Sequence, residues 1–178
     1  MQRLIAIGLA FYSFFLILTN LSRLPARIPT HFNAAGEADG WGSPNTLWFL
    51  LLFQVLTGGL LLLAPLLARR FPGWVNLGFQ KLSDFPPAQR ERIIPLFGDM
   101  MGYMSVLLSL LFAIILRGTI HAASSSHPHF APWWELGLFL AGLLAIIIYY
   151  IRRIFAVANE PQIPRTTLRE SRRPGRAP

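Results

Sequence analysis

The sequence predicts an all-α integral membrane protein, a four-helix transmembrane bundle with a structured extracytoplasmic loop between helices 1 and 2. Three observations carry that prediction. Residues 4–22, 47–68, 96–116 and 136–151 form four long apolar runs, and a helix of roughly 20 such residues crosses the ~30 Å hydrocarbon core of a bilayer. Of the 178 residues 53% are hydrophobic and 13% charged, where a soluble domain averages about 25% charged. Lys and Arg gather between alternate runs, the pattern of a chain that weaves through a membrane.

The first run, 4–22, is uncharged and follows Arg3. It is longer than the apolar stretch of a signal peptide and has no small-x-small cleavage site before Arg23, which makes it a retained first span. The second, 47–68, contains Thr57-Gly58-Gly59 and Pro65, which loosen a helix where neighbours can satisfy the freed backbone groups. The third carries Gly98-x-x-x-Gly102 and Ser105-x-x-x-Ser109-x-x-x-Ala113, and the fourth Gly137-x-x-x-Ala141-x-x-x-Ala145. Such ridges let helices approach closely in lipid, with Gln54, Ser105 and Ser109 as interhelical hydrogen-bonding groups, and they leave capacity for a homo-oligomer. Trp41, Trp48, Trp133 and Trp134 flank one set of span ends and Tyr149 and Tyr150 the other, as in two aromatic belts.

Residues 1–158 therefore read as one membrane domain. Lys and Arg at position 3, between 69 and 96 and in the tail outnumber those in the first loop, Arg23 and Arg27, and the 118–134 loop has none. The positive-inside rule then puts both termini in the cytoplasm of a bacterial inner membrane and the first loop outside. The net charge of +8, lying beside apolar runs, points to anionic phospholipid and not to nucleic acid. Asp84-Phe85-Pro86-Pro87 reads as the capped start of a short helix before the third span. Trp74, Phe79 and Phe85 beside Lys81 and the arginines suit a membrane-surface segment, and a plain linker with snorkelling ends is the alternative. The Pro- and Arg-rich tail, 159–178, cannot bury a core and reads as disordered, free to meet a cytoplasmic regulator. The chain has no cysteine, which excludes disulfides and thiolate chemistry. It has no phosphate loop, dinucleotide fingerprint or nucleic-acid module either.

The one polar stretch with an individual pattern is Leu24 to Ser43, LPARIPTHFNAAGEADGWGS. Pro25 and Pro29 exclude a helix and extend the residues before them. Ile28, Thr30 and Phe32 alternate with Pro29 and His31, which predicts a short extended piece. Gly36, Asp39-Gly40 and Gly42 then turn the chain back and bring Trp41 beside that piece. Ser43 as N-cap with Pro44 behind it starts the next helix.

This stretch resembles the signature of an uncharacterised bacterial membrane domain found at the N terminus of SdpI-like proteins, roughly L-P-x-x-I-P-x-H-[FW]-[ND]-x-x-G-x-x-D-x-[WY]-x-S. Leu24, Pro25, Ile28, Pro29, His31, Phe32, Asn33, Gly36, Asp39, Trp41 and Ser43 match it. Val75-Asn76-Leu77 and Phe85 to Arg92 resemble the same domain's second segment more weakly. The resemblance implies an envelope role in immunity against a secreted peptide toxin, or in signalling. SdpI-type proteins carry a second membrane module, whereas here one further apolar run follows.

Four sets of residues are candidates for function. His31, Asn33, Asp39 and Trp41 form the candidate ligand site, an extracellular peptide being the ligand that the resemblance implies. His31, Glu37, Asp39, His121, His127 and His129 are predicted on one side of the membrane with Glu135, and imidazole with carboxylate is an ordinary Zn²⁺ ligand set. A metal-dependent membrane enzyme, or a metal- or proton-coupled transporter, is thus the alternative function, while a flexible loop around His121, His127 and His129 is the plain one. His31 with Asp39 as acid/base pair and Ser43 as nucleophile is an enzymatic variant, against Ser43 as cap and Asp39 as turn residue. Asp99, one turn before Tyr103, is a carboxylate close to a span, or else an interfacial group stabilised by the helix N-terminal dipole.

Overall fold

The computed structural model describes residues 1–78, 80–126, 128–130 and 133–160, without the side chain of Trp133. The expectations for Phe79, His127, the Trp133 ring and the basic tail 161–178 lie outside the described residues. Four helices are long and apolar enough to cross a membrane. They are α1 (Gln2–Asn20), α2 (Thr46–Arg70), α3 (Pro87–Ala123) and α4 (Trp133–Ala158), with strands β1 (Ile28–Phe32) and β2 (Ala38–Gly42) between the first two. The helices alternate in direction. One end of the molecule therefore carries the β-hairpin and the α3–α4 connection, and the other carries the N terminus, residues 71–86 and Glu160. We call these the hairpin end and the terminal end.

α3 is the central helix, packed against α1, α2 and α4, while α1 and α2 also touch and α4 meets the bundle chiefly through α3. The small residues of α3 make this possible. Gly98 faces Pro65, and Gly102 faces the Gln2 side chain. Ser105 Oγ donates to the Gly58 carbonyl at 3.1 Å and Gln54 Nε2 to the Ser109 carbonyl at 3.3 Å, so Gln54 and Ser105 bond between helices as expected, while Ser109 takes part through its backbone. The fourth run behaves differently. A Cβ on Gly137 would meet nothing within 4 Å, and it is Gly142 that faces α3, against Leu107. The Gly137-Ala141-Ala145 ridge is exposed instead of packed inside the bundle.

Two predicted boundaries move. The short helix expected before the third span and the span itself are one helix of 37 residues, running through Pro95. A proline this near a helix start removes one backbone bond, and packing of the flanking Ile93 and Ile94, both buried, holds the helix together. Asp84 lies in a turn and Pro86 is the N-cap, with no side-chain cap.

Residues 71–86 do not lie flat as a linker. Leu82 and Phe85 are buried with Ala68, Ile93, Ile94 and Ile154 in one cluster. This cluster ties α2, α3 and the end of α4 together beyond the spans. Trp74 stays 78% exposed, and Phe71 stacks on it, so this ring pair is able to meet a membrane surface. The first tail residues are ordered by the same end: Arg92 forms a two-pronged ion pair with Glu160.

Candidate functional site

At the hairpin end a second cluster, Ile17, Ile28, Leu47, Leu116 and Ile120, roots β1 in the bundle. Ile28 and Pro29 at the start of β1 are both buried, while β1 and β2 pair antiparallel with Pro29 opposite Trp41 and His31 opposite Gly40. The ladder is irregular at Thr30 on β1 and at Asp39 on β2, which both lack a paired residue. Pro29 lacks the N–H that regular pairing requires, and a bulge accommodates it.

The turn is built by two residues. Asn33 Oδ1 accepts from the N–H groups of Ala35 and Glu37 at 2.9 and 3.0 Å, and its Nδ2 donates to Glu37 Oε2 at 3.0 Å. Gly36 has φ +85°, a conformation that costs an L side chain roughly 1–2 kcal/mol. Asn33, expected as a ligand-binding residue, thus has its carboxamide engaged in the turn, and Glu37, expected as a metal ligand, is its partner.

The α3–α4 connection docks on this turn as a third extended piece. The Phe130 N–H donates to the Gly36 carbonyl at 2.8 Å, and Glu37 pairs with His129. A Cβ on Gly36 would lie 2.7 Å from the Phe130 carbonyl oxygen, so the close approach also demands glycine. The Phe130 ring packs 5.2 Å from that of Phe32 and covers Gly118 of α3. The two predicted outer loops are therefore one structure.

His31 Nδ1 contacts Asp39 Oδ1 across the hairpin, with the two side chains 72% and 46% exposed. So open an ion pair contributes little to stability, which leaves both groups available to a ligand. Trp41 is 44% exposed beside them. Ser43 does not join. Its Oγ accepts the Asn45 N–H at 3.3 Å, and α2 begins at Thr46, two residues later than the expected Pro44.

Among the described residues no three His, Cys, Asp or Glu side chains gather in a geometry able to hold a metal ion. His121 is in the last turn of α3, not in a loop, and Glu135 is held by Arg117, Nη2 to Oε1 2.5 Å. Arg117 lies just before the stretch counted as free of positive charge, and its Glu135 partner offsets it.

Between hairpin and helices opens a cleft of about 480 Å³. Residues 29–33 form one wall, Leu47, Leu50, Ile115, Phe130 and Leu136 supply apolar surface, and His31, Asn33, Thr46 and Thr119 supply the polar groups. Thr119, Phe130 and Leu136 escaped the sequence reading. Phe130 alone left a trace there, as an aromatic ring in an otherwise polar connection.

At the terminal end, Asp99 lines a separate cavity of about 320 Å³ with Gln2, Arg3 and Arg69. It lies twelve residues beyond Pro87, ~18 Å along the helix, so the N-terminal dipole does not reach it. Tyr103 turns toward Tyr150, ring centroids 6.0 Å apart.

Residues 8–55, which cover most of α1, the hairpin and the start of α2, match a family described as a domain of unknown function, DUF1648. The chain is also 28% identical over 160 residues to an uncharacterized protein of Archaeoglobus fulgidus, covering 86% of this chain and 87% of that one. No solved structure matches.

Proposed function

We propose that this is a non-enzymatic SdpI-like protein of the cytoplasmic membrane that recognises an extracytoplasmic peptide at its hairpin end, for immunity or signalling. The observation that carries the reading is the cleft along β1. Among the described residues the sheet is two-stranded, and β1 pairs with β2 alone. An extended peptide can add to a free strand edge by main-chain hydrogen bonds while its apolar side chains fill the adjoining pocket. His31, Asp39 and Trp41 then read the polar part of the ligand.

The outward hairpin is supported by charge. Of the 16 Lys and Arg residues, Arg23, Arg27 and Arg117 belong to the hairpin end, eight to the terminal end and five to 161–178, which favours cytoplasmic termini. Because the chain has no cysteine, single cysteines at Ser43, Ser83 and Ser125 test this directly with a membrane-impermeant thiol reagent in intact cells. Labelling at positions 43 and 125 but not 83 is expected; the reverse overturns the outward reading.

The functional test is rescue of a deletion strain challenged with secreted toxic peptides. Asp39→Ala and Thr119→Trp, which fills the cleft, should lose rescue at normal membrane levels. Full rescue by both rejects the site. The second reading, a metal-dependent enzyme or coupled transporter, draws on the His31–Asp39 contact with His129 at the same end. Stoichiometric zinc in gently purified protein, lost in His31→Ala, would favour it.

A further inference from the structure

The terminal-end cavity carries charges that the bundle does not use. Arg3 begins α1, Arg69 ends α2 and Asp99 lies on α3, and all three line the same 320 Å³ space. Among the described residues, no hydrogen bond or ion pair holds any of the three. By contrast, Arg92 and Arg117 each take a carboxylate. All three side chains are exposed, so a ligand can reach them. Leu62 and Leu66 of α2 extend the wall along the apolar span.

Position fixes the class of ligand. Arg3 and Arg69 sit at span ends, where headgroup phosphates lie in a bilayer, and guanidinium binds phosphate oxygens in a forked geometry. A carboxylate beside them in the same cavity repels a second anion and attracts a cation. Two arginines with one carboxylate therefore complement a phosphodiester that carries its own ammonium group, and the leucines complement acyl chains. We propose that this cavity is a phospholipid site selective for a zwitterionic phosphoethanolamine headgroup. The phosphodiester lies between Arg3 and Arg69, the ammonium meets Asp99, and the acyl chains run along Leu62 and Leu66. This assignment is independent of the cleft at the other end.

The test uses the full chain in detergent and reads the thermal midpoint on adding dioleoyl-phosphatidylethanolamine, dioleoyl-phosphatidylglycerol or soluble phosphoethanolamine. The ethanolamine lipid should raise the midpoint more than the glycerol lipid, and soluble phosphoethanolamine should leave it unchanged. Arg69→Gln should abolish the shift. Asp99→Asn should keep a shift but erase the preference, with the glycerol lipid at least as effective. Size-exclusion profiles confirm that the variants remain folded, and Arg3→Gln replaces Arg69→Gln if the latter aggregates. Equal shifts from both lipids in the wild type, or a preference that survives Asp99→Asn, would overturn the proposal. A shift from soluble phosphoethanolamine as large as that from the lipid would overturn the lipid as occupant.

Discussion

The two ends of this molecule invert the roles that their residues suggest. At the hairpin end the distinctive polar residues divide in two: Asn33 and Gly36 are spent on turn geometry, while His31, Asp39 and Trp41 stand exposed with little structural work. At the terminal end a stretch that reads as surface or linker supplies Leu82 and Phe85 to a buried cluster. A distinctive motif is thus not uniformly functional, and an undistinguished loop is not uniformly expendable. Burial and hydrogen bonding separate the two cases.

The largest effect that would sharpen this contrast is loss of the terminal cluster. Phe85→Ala and Leu82→Ala are each expected to cost about 2–5 kcal/mol, the usual cost of truncating a buried side chain, read as a lower thermal midpoint in detergent. A change no larger than that of an exposed site would mean that the 71–86 segment is a linker after all.

Next comes Gly36→Ala, which combines strain from φ +85° with a clash against the Phe130 carbonyl. It should cost roughly 1–2 kcal/mol and raise amide hydrogen exchange at His129 and Phe130 while the α2–α3 contacts stay protected. Unchanged protection there would show that hairpin and connection are not coupled.

A smaller effect is pH-dependent. The hydrogen bond from Arg92 holds the Glu160 carboxyl below its usual range. A lowered folded pKa means that the contact contributes fully above the ordinary glutamate pKa and is lost as pH falls through the lowered value. A spin label at Asn159→Cys should therefore be immobilised near neutrality and become mobile in acid, and Arg92→Gln should leave it mobile at both. Mobility that ignores pH in the wild type would remove this contact from the terminal end's fastenings.

The smallest effect on stability belongs to His31→Ala, expected within about 0.5 kcal/mol because its ion pair is open to water. The same variant should lose rescue of the deletion strain. Coupled losses of stability and rescue would make His31 a structural residue like Asn33 and erase the contrast within the hairpin.

The resolved part of the site was partly legible in advance. Proline placement and alternation predicted the extended piece at Ile28–Phe32, and Trp41 does return beside it, but the chain turns at Gly36, whereas Asp39, Gly40 and Gly42, expected as turn residues, lie within β2. His31 and Asp39, offered as a pair, do meet. Thr119 and Leu136 were not legible, because each is an ordinary residue on an apolar helix until a hairpin more than seventy residues away covers it. His121 was read into a loop because the apolar run ends at Leu116; the helix continues past it, with Thr119, Ile120 and Ala122 buried.

By itself the sequence determined the four membrane-spanning helices, the extended piece between the first two and the small-residue ridges of α3. All of these follow from local rules: hydrophobic length, backbone restriction at proline and glycine, and side-chain size. Only the tertiary structure decided that α3 is one helix through Pro95, that the Gly137 ridge faces outward, that the two loops of the hairpin end dock through Gly36, and that Arg3, Arg69 and Asp99 share a cavity. Each of these depends on which surfaces meet across long stretches of chain, and the apolar pattern of a membrane helix, hydrophobic on every side, carries no mark of which face its neighbour takes.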